Sequence, residues 1–116
     1  MGKIKLMGML AGVLMAAQAF ASDAVTVKGE VIDTFCYAVM GAKGESHRKC
    51  GIECVEKGIP VGLLEEGTSK VYVLLPKKDR SPVPKAVIDR MGRQATITGK
   101  VITVGGSQFL TVESVK

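Results

Sequence analysis

Val25, Val27, Gly29 and Val31 alternate with Thr26, Lys28 and Glu30, the period-two pattern of a strand with one buried face, and predict a strand over about 24–33. Between Ser46 and Gly58 the period changes. Ile52, Val55 and Ile59 recur at helical spacing, with Lys49, Glu53, Glu56 and Lys57 on the opposite side, so a short amphipathic helix is expected there, ended by Pro60. Two apolar runs, 61–64 and 71–75, flank Glu66-Gly67-Thr68 and predict a hairpin. Ser81 followed by Pro82, with Val83, Val87 and Met91 at four-residue steps and Gly92 as a stop, predicts a second helix lying across the sheet. The segments 95–104 and 108–115 are again alternating and β-branched, and Gly105-Gly106 joins them as a second hairpin.

The predicted order is strand, helical insertion, strand, strand, helix, strand, strand. It matches a mainly β protein with two short helices, a five-stranded OB-like Greek-key barrel with its helical insertion between strands 1 and 2. Val27-Lys28-Gly29-Glu30-Val31-Ile32 is echoed by Ile97-Thr98-Gly99-Lys100-Val101-Ile102. Each stretch places a glycine inside a strand, where a bend or a close backbone approach is the usual cause.

The first residues belong to a different class. Lys3 and Lys5 precede an uncharged run rich in Leu, Met and Ala from Leu6 to Phe20, which closes on Ala19-Phe20-Ala21. This is the pattern of a cleavable export signal over 1–21, too short for a spanning helix. It leaves a single OB-like domain over 22–116, periplasmic or secreted, with no stable membrane insertion after cleavage. Loss of Lys3 and Lys5 takes the formal charge from +5 to +3. So weak a positive field, with two Tyr, three Phe and no Trp for base stacking, argues against a nucleic-acid partner. At 116 residues and 47% hydrophobic the chain suits one core and is too apolar for disorder.

Every cysteine and the only histidine fall in the first long connection: Cys36, His47, Cys50 and Cys54. At about 100° per residue, Cys50 lies about 60° and Cys54 about 20° from His47, so the three share one helix edge. Gly51 and Gly58 share that edge and would admit another backbone or a bound group. Cys36 arrives from the end of the first strand and is expected to face it. Three thiolates and an imidazole form a tetrahedral set for Zn, and the soft sulfurs also suit Cu(I), with Met40 as an extra donor. A competing expectation is a disulfide from Cys36 to Cys50 or Cys54, which would staple the loop of an interaction or solute-binding module without metal. A Cys50–Cys54 bond is disfavoured, since Cβ atoms one helical turn apart are about 5–6 Å from each other and a disulfide needs about 3.8 Å. A thiol-redox role, with His47 lowering a thiol pKa, is a third expectation, but Cys-x3-Cys is not the redox spacing Cys-x2-Cys.

Gly29-Glu30-Val31-Ile32-Asp33, Cys36-Tyr37, Gly41-Ala42-Lys43-Gly44, His47-x2-Cys50-x3-Cys54 and Gly58-Ile59-Pro60-Val61-Gly62-Leu63-Leu64 together resemble a group of uncharacterised small exported bacterial proteins. The resemblance covers about a third of the chain. It implies that the cluster acts as one unit and implies no activity. The expectation is therefore an exported small metal-binding protein with Cys36, His47, Cys50 and Cys54 as ligands, loaded or unloaded by a metal donor, an acceptor or a protein partner. Four protein ligands leave no open position for a reacting water, so an enzyme is not expected.

Overall fold

The computed structural model describes Gly2 and residues 23–116; the expected export segment 1–21 lies outside the described residues apart from Gly2. Along the described chain run β1 (Val25–Asp33), α1 (Thr34–Met40), a 3-10 turn (Glu45–His47), α2 (Arg48–Glu56), β2 (Val61–Glu65), β3 (Val71–Leu75), α3 (Lys85–Ile88), β4 (Gln94–Gly99), β5 (Val101–Val104), β6 (Ser107–Thr111) and β7 (Ser114–Val115). The seven strands form one sheet in the order β5-β6-β3-β2-β1-β4-β7. Neighbours are antiparallel except for β3 and β6, which are parallel. The protein is mainly β, as its alternating segments predict, with a helical insertion between the first two strands.

The sheet is not closed. The two long strands expected over 95–104 and 108–115 are each divided, the first at Lys100 and the second at 112–113, so that seven shorter strands replace five. Gly99 marks the first division, since a Cβ built there would lie 1.6 Å from the Thr111 carbonyl oxygen. Gly29 has the same role where β1 crosses β2: its Cβ would lie 2.2 Å from the Leu64 carbonyl oxygen. The echoed sequence thus marks two places where only a glycine lets backbones come this close.

Val27, Val31, Leu63, Tyr72, Leu74, Ile97 and Leu110 fill the core from the strands, and Val87 and Met91 close it from the connection after β3. Alternating burial in β1 stops at Ile32 and Asp33, which are both buried. Here the sheet is covered on its second side as well. Thr34 donates through both its backbone N–H (3.1 Å) and its hydroxyl (2.9 Å) to the Pro60 carbonyl, so the insertion leaves and rejoins the sheet at one point, beside the Asp33–Val61 pair.

The expected helix from Ser81 is much shorter. Helix α3 covers Lys85–Ile88 only, with Pro84 at its N-cap in an extended conformation (φ −56°, ψ 142°) and no side-chain cap. Pro82 and Pro84 explain this, because a residue preceding proline is pushed out of the helical region. Val87 and Met91 are buried as expected, but Met91 lies beyond the helix, in an isolated parallel bridge to Val31 of β1.

The insertion is anchored to the sheet along its length. The Gly44 N–H donates to Glu30 Oε2 at 2.5 Å, and Arg93 makes a two-pronged contact with Glu45 at 2.8 and 2.9 Å. Arg48 donates to the carbonyls of Asp89 and Met91, both at 2.9 Å. As a charged residue at a helix start, Arg48 reads in sequence as a solvated side chain. In the fold it ties α2 to the end of the α3 connection.

Candidate metal centre

The site begins with a helix cap. Asp33, the last residue of β1, is the N-cap of α1, and its Oδ1 accepts from the Cys36 N–H at 2.8 Å. At the other end Gly41 adopts a left-handed conformation (φ 68°) and its N–H returns to the Cys36 and Tyr37 carbonyls, a glycine stop of the usual kind. These two signals define α1, a helix that apolar periodicity does not reveal. Its first turn sets the Cys36 sulfur next to the Asp33 carboxylate.

The second oxygen of Asp33 reaches the insertion. Asp33 Oδ2 and His47 Nε2 are 2.5 Å apart, with the imidazole N–H donating to the carboxylate. Asp33 is fully buried, and the His47 side chain is 16% exposed. The ligand atoms of Asp33, Cys36 and His47 all lie within 4.8 Å of one another. Among the described residues this is a group able to hold a metal ion.

Cys54 completes one side. It is half-buried on α2 and is one of the groups that raise the Cys36 thiol. Burial pushes the Cys36 thiol up to about 11, and the charge and hydrogen bond of Asp33 and the neighbouring Cys54 add to the rise. Without a cation, this sulfur is therefore a protonated thiol at neutral pH. A nucleophile needs the opposite. A positive ion is what would reverse it, since a metal-bound thiol loses its proton outright.

Two of the four expected ligands, Cys36 and His47, come together in this group, and Cys54 borders it. Cys50 does not join them: it is exposed. Cys50 stands apart from the group for a definite reason. His47 ends the 3-10 turn and serves as the N-cap of α2 (φ −98°, ψ 0°), so it is not in phase with the helix that carries the cysteines. Counted within α2 itself, the buried face runs through Gly51, Val55 and Ile52. Cys54 lies at the edge of that face, and Cys50 lies about 40° further toward solvent. Met40, the extra donor expected, is 65% exposed at the end of α1.

Gly51 admits a core side chain rather than a backbone or ligand. Its Cβ would come within 2.8 Å of both Cγ and Sδ of Met91 and 3.5 Å of His47 Cδ2. Gly58 is an open turn position at φ 104° with nothing near it. All three cysteines are free thiols. Asp33 is the member of this group that residue-type reasoning missed. Its signal was the spacing Asp-x2-Cys at a strand end, a capping carboxylate that also faces the third residue of the helix it starts. Comparison with protein families, curated proteins and solved structures finds no match, so the residues themselves carry the functional reading.

Proposed function

We propose that this is an exported metal-binding protein that holds a zinc ion through Cys36, His47 and Cys54, with Asp33 as the fourth donor. The observation that carries this reading is the fully buried Asp33 carboxylate placed against a buried thiol and an imidazole, all within 4.8 Å. A carboxylate beside a thiol stabilises neither sulfur anion nor itself, yet together they make a negative, oriented donor set for a cation. Two sulfurs, one nitrogen and one oxygen suit tetrahedral zinc, whereas the hard carboxylate weighs against Cu(I). With four protein donors the role is binding rather than water activation.

We also take β4 and β5 as one strand bent at Gly99 and Lys100, which gives the OB-like barrel expected from the element order. Support comes from the single residue between them and from the Thr111 N–H, which donates to the Lys100 carbonyl at 3.0 Å. On this view the site occupies the loop between barrel strands 1 and 2.

Elemental analysis of the reduced protein, equilibrated with zinc and freed of excess, is the test. We expect about one ion per chain. Cys36→Ser and His47→Ala should weaken binding at least about a hundredfold, and Cys50→Ser should retain the ion. Copper in preference to zinc would change the metal; no metal with any variant would overturn the reading.

A second reading has its own support, the nearness of the Cys36 and Cys54 thiols. Oxidation would join them and staple α1 to α2 in a module without metal. Thiol alkylation of denatured protein purified without reductant separates the two. The metal reading expects three reactive thiols after chelation, and the stapled form expects only that of Cys50.

A further inference from the structure

The sheet ends on two edges of unlike design. At one, β7 is two residues long and lies between Glu113 and Lys116. At the other, the chain has no charge and no proline from Val101 to Gln108, and Val101, Ile102, Thr103 and Val104 of β5 are all exposed. Natural edges are commonly shielded by such charges, prolines or bulges. The register shows which backbone groups are free. β5 turns into β6 through Gly105 and Gly106, both at positive φ (58° and 79°), a two-residue hairpin whose closing pair, Val104 and Ser107, is hydrogen-bonded. Alternation makes Ile102 and Phe109 the next such pair, and the Thr111 N–H, donating to the Lys100 carbonyl at 3.0 Å, keeps the same phase. The N–H and C=O groups of Val101 and Thr103 therefore point away from β6, and among the described residues no strand lies on that side.

We propose that two copies of this chain join edge to edge through β5, antiparallel about a two-fold axis at Ile102. The occupant follows from the register. Only the pairing of Val101 with Thr103 of the second copy, made in both directions, uses all four free groups of each strand, and it forms four hydrogen bonds. It sets Ile102 opposite its own copy in the closer, non-hydrogen-bonded kind of pair, and Lys100 opposite Val104, so no like charges meet. The side chains carry the same match. Val73, Phe109 and Ile102 stand opposite one another across β3, β6 and β5, and this apolar row runs out at the bare edge, where the second copy supplies another Ile102 backed by another Phe109. An unrelated extended peptide would bond to the same backbone without the matching isoleucine. Two four-residue edges cover much less than the about 1,200–2,000 Å² of a stable complex, so the association is weak and reversible.

Sedimentation of the full chain between about 0.01 and 1 mM is the test, run in reductant so that no disulfide through the exposed Cys50 contributes. The mass should rise toward that of a dimer across this range. Ile102→Lys and Ile102→Glu each put like charges on the two-fold axis and should weaken association at least about tenfold, with thermal unfolding unchanged because the position is exposed. An equimolar mixture of the two should associate again, since Lys then meets Glu. Thr103→Pro removes an N–H that only the second copy uses, and should weaken association as well. A chain that stays monomeric throughout, as it would if the edge served a peptide of another protein, overturns the proposal. So does undiminished association of the single Ile102 variants, or a mixture that fails to recover it.

Discussion

Two long connections leave this sheet, and they are built in opposite ways. The one between β1 and β2 holds two helices, a 3-10 turn and every cysteine and histidine of the described residues. The one between β3 and β4 has three prolines and one four-residue helix, and contributes no member to the metal-capable group. Yet the second positions the first. Met91 fills the space above Gly51, Arg48 is held by the Asp89 and Met91 carbonyls, Arg93 holds Glu45, and a Cβ on Gly92 would strike the Gly44 carbonyl oxygen at 2.5 Å. The chemistry lies in one connection and its rigidity in the other. Metal centres depend on such supporting contacts, which fix the orientation of their ligands.

Removing the contact that belongs to the site alone should have the largest effect. Asp33→Ala deletes both a helix cap and the hydrogen bond to His47 from a buried position, and should cost about 4 kcal/mol by chemical denaturation. A loss near zero would mean that the second connection holds the first without help. Met91→Ala comes next, at about 3 kcal/mol. Because Met91 lies between the two connections, it should also loosen zinc binding, measurable by competition with a chelator. Unaltered affinity would show that the site is rigid by itself and would break the contrast drawn here.

The smallest effect concerns Glu45 and Arg93. The hydrogen bond from Arg93, with its charge, holds the Glu45 carboxyl below its ordinary value. A depressed folded-state value means that the pair's contribution is present above the unfolded carboxyl pKa and is lost as pH falls through the folded one. Glu45→Gln should therefore flatten the acid side of the stability profile slightly and leave neutral zinc affinity unchanged. The pair is exposed and screened, so a large effect at neutral pH would sink this assignment.

Periodicity made the sheet legible. The alternation in β1 and the paired apolar runs of β2 and β3 depend on one buried face, which a sequence records directly. The ends were less legible, since Gly99 divides a strand by a close approach to Thr111 that no local pattern announces. In the site, Cys36 and His47 were found because their residue types are rare and clustered. Asp33 was not, because a capping aspartate is common and its burial depends on a histidine fourteen residues away. Cys50 lies outside the group for a related reason. A helical wheel drawn from His47 assumes one continuous helix, and the change from 3-10 turn to α-helix at Arg48 shifts its phase.

The double bond from Thr34 to the Pro60 carbonyl closes the neck of the insertion as a tight turn would close a short hairpin. The strands on either side meet the insertion at that neck and again where Ile52 and Val55 pack on the core and Arg48 and Glu45 reach the second connection. The segment that carries the candidate site is built as a cassette with one entrance and a fixed seat. Moving it to another scaffold would require the threonine, the carbonyl it grips, and a receiving surface with a methionine, two carbonyls and an apolar patch for the cassette to rest on.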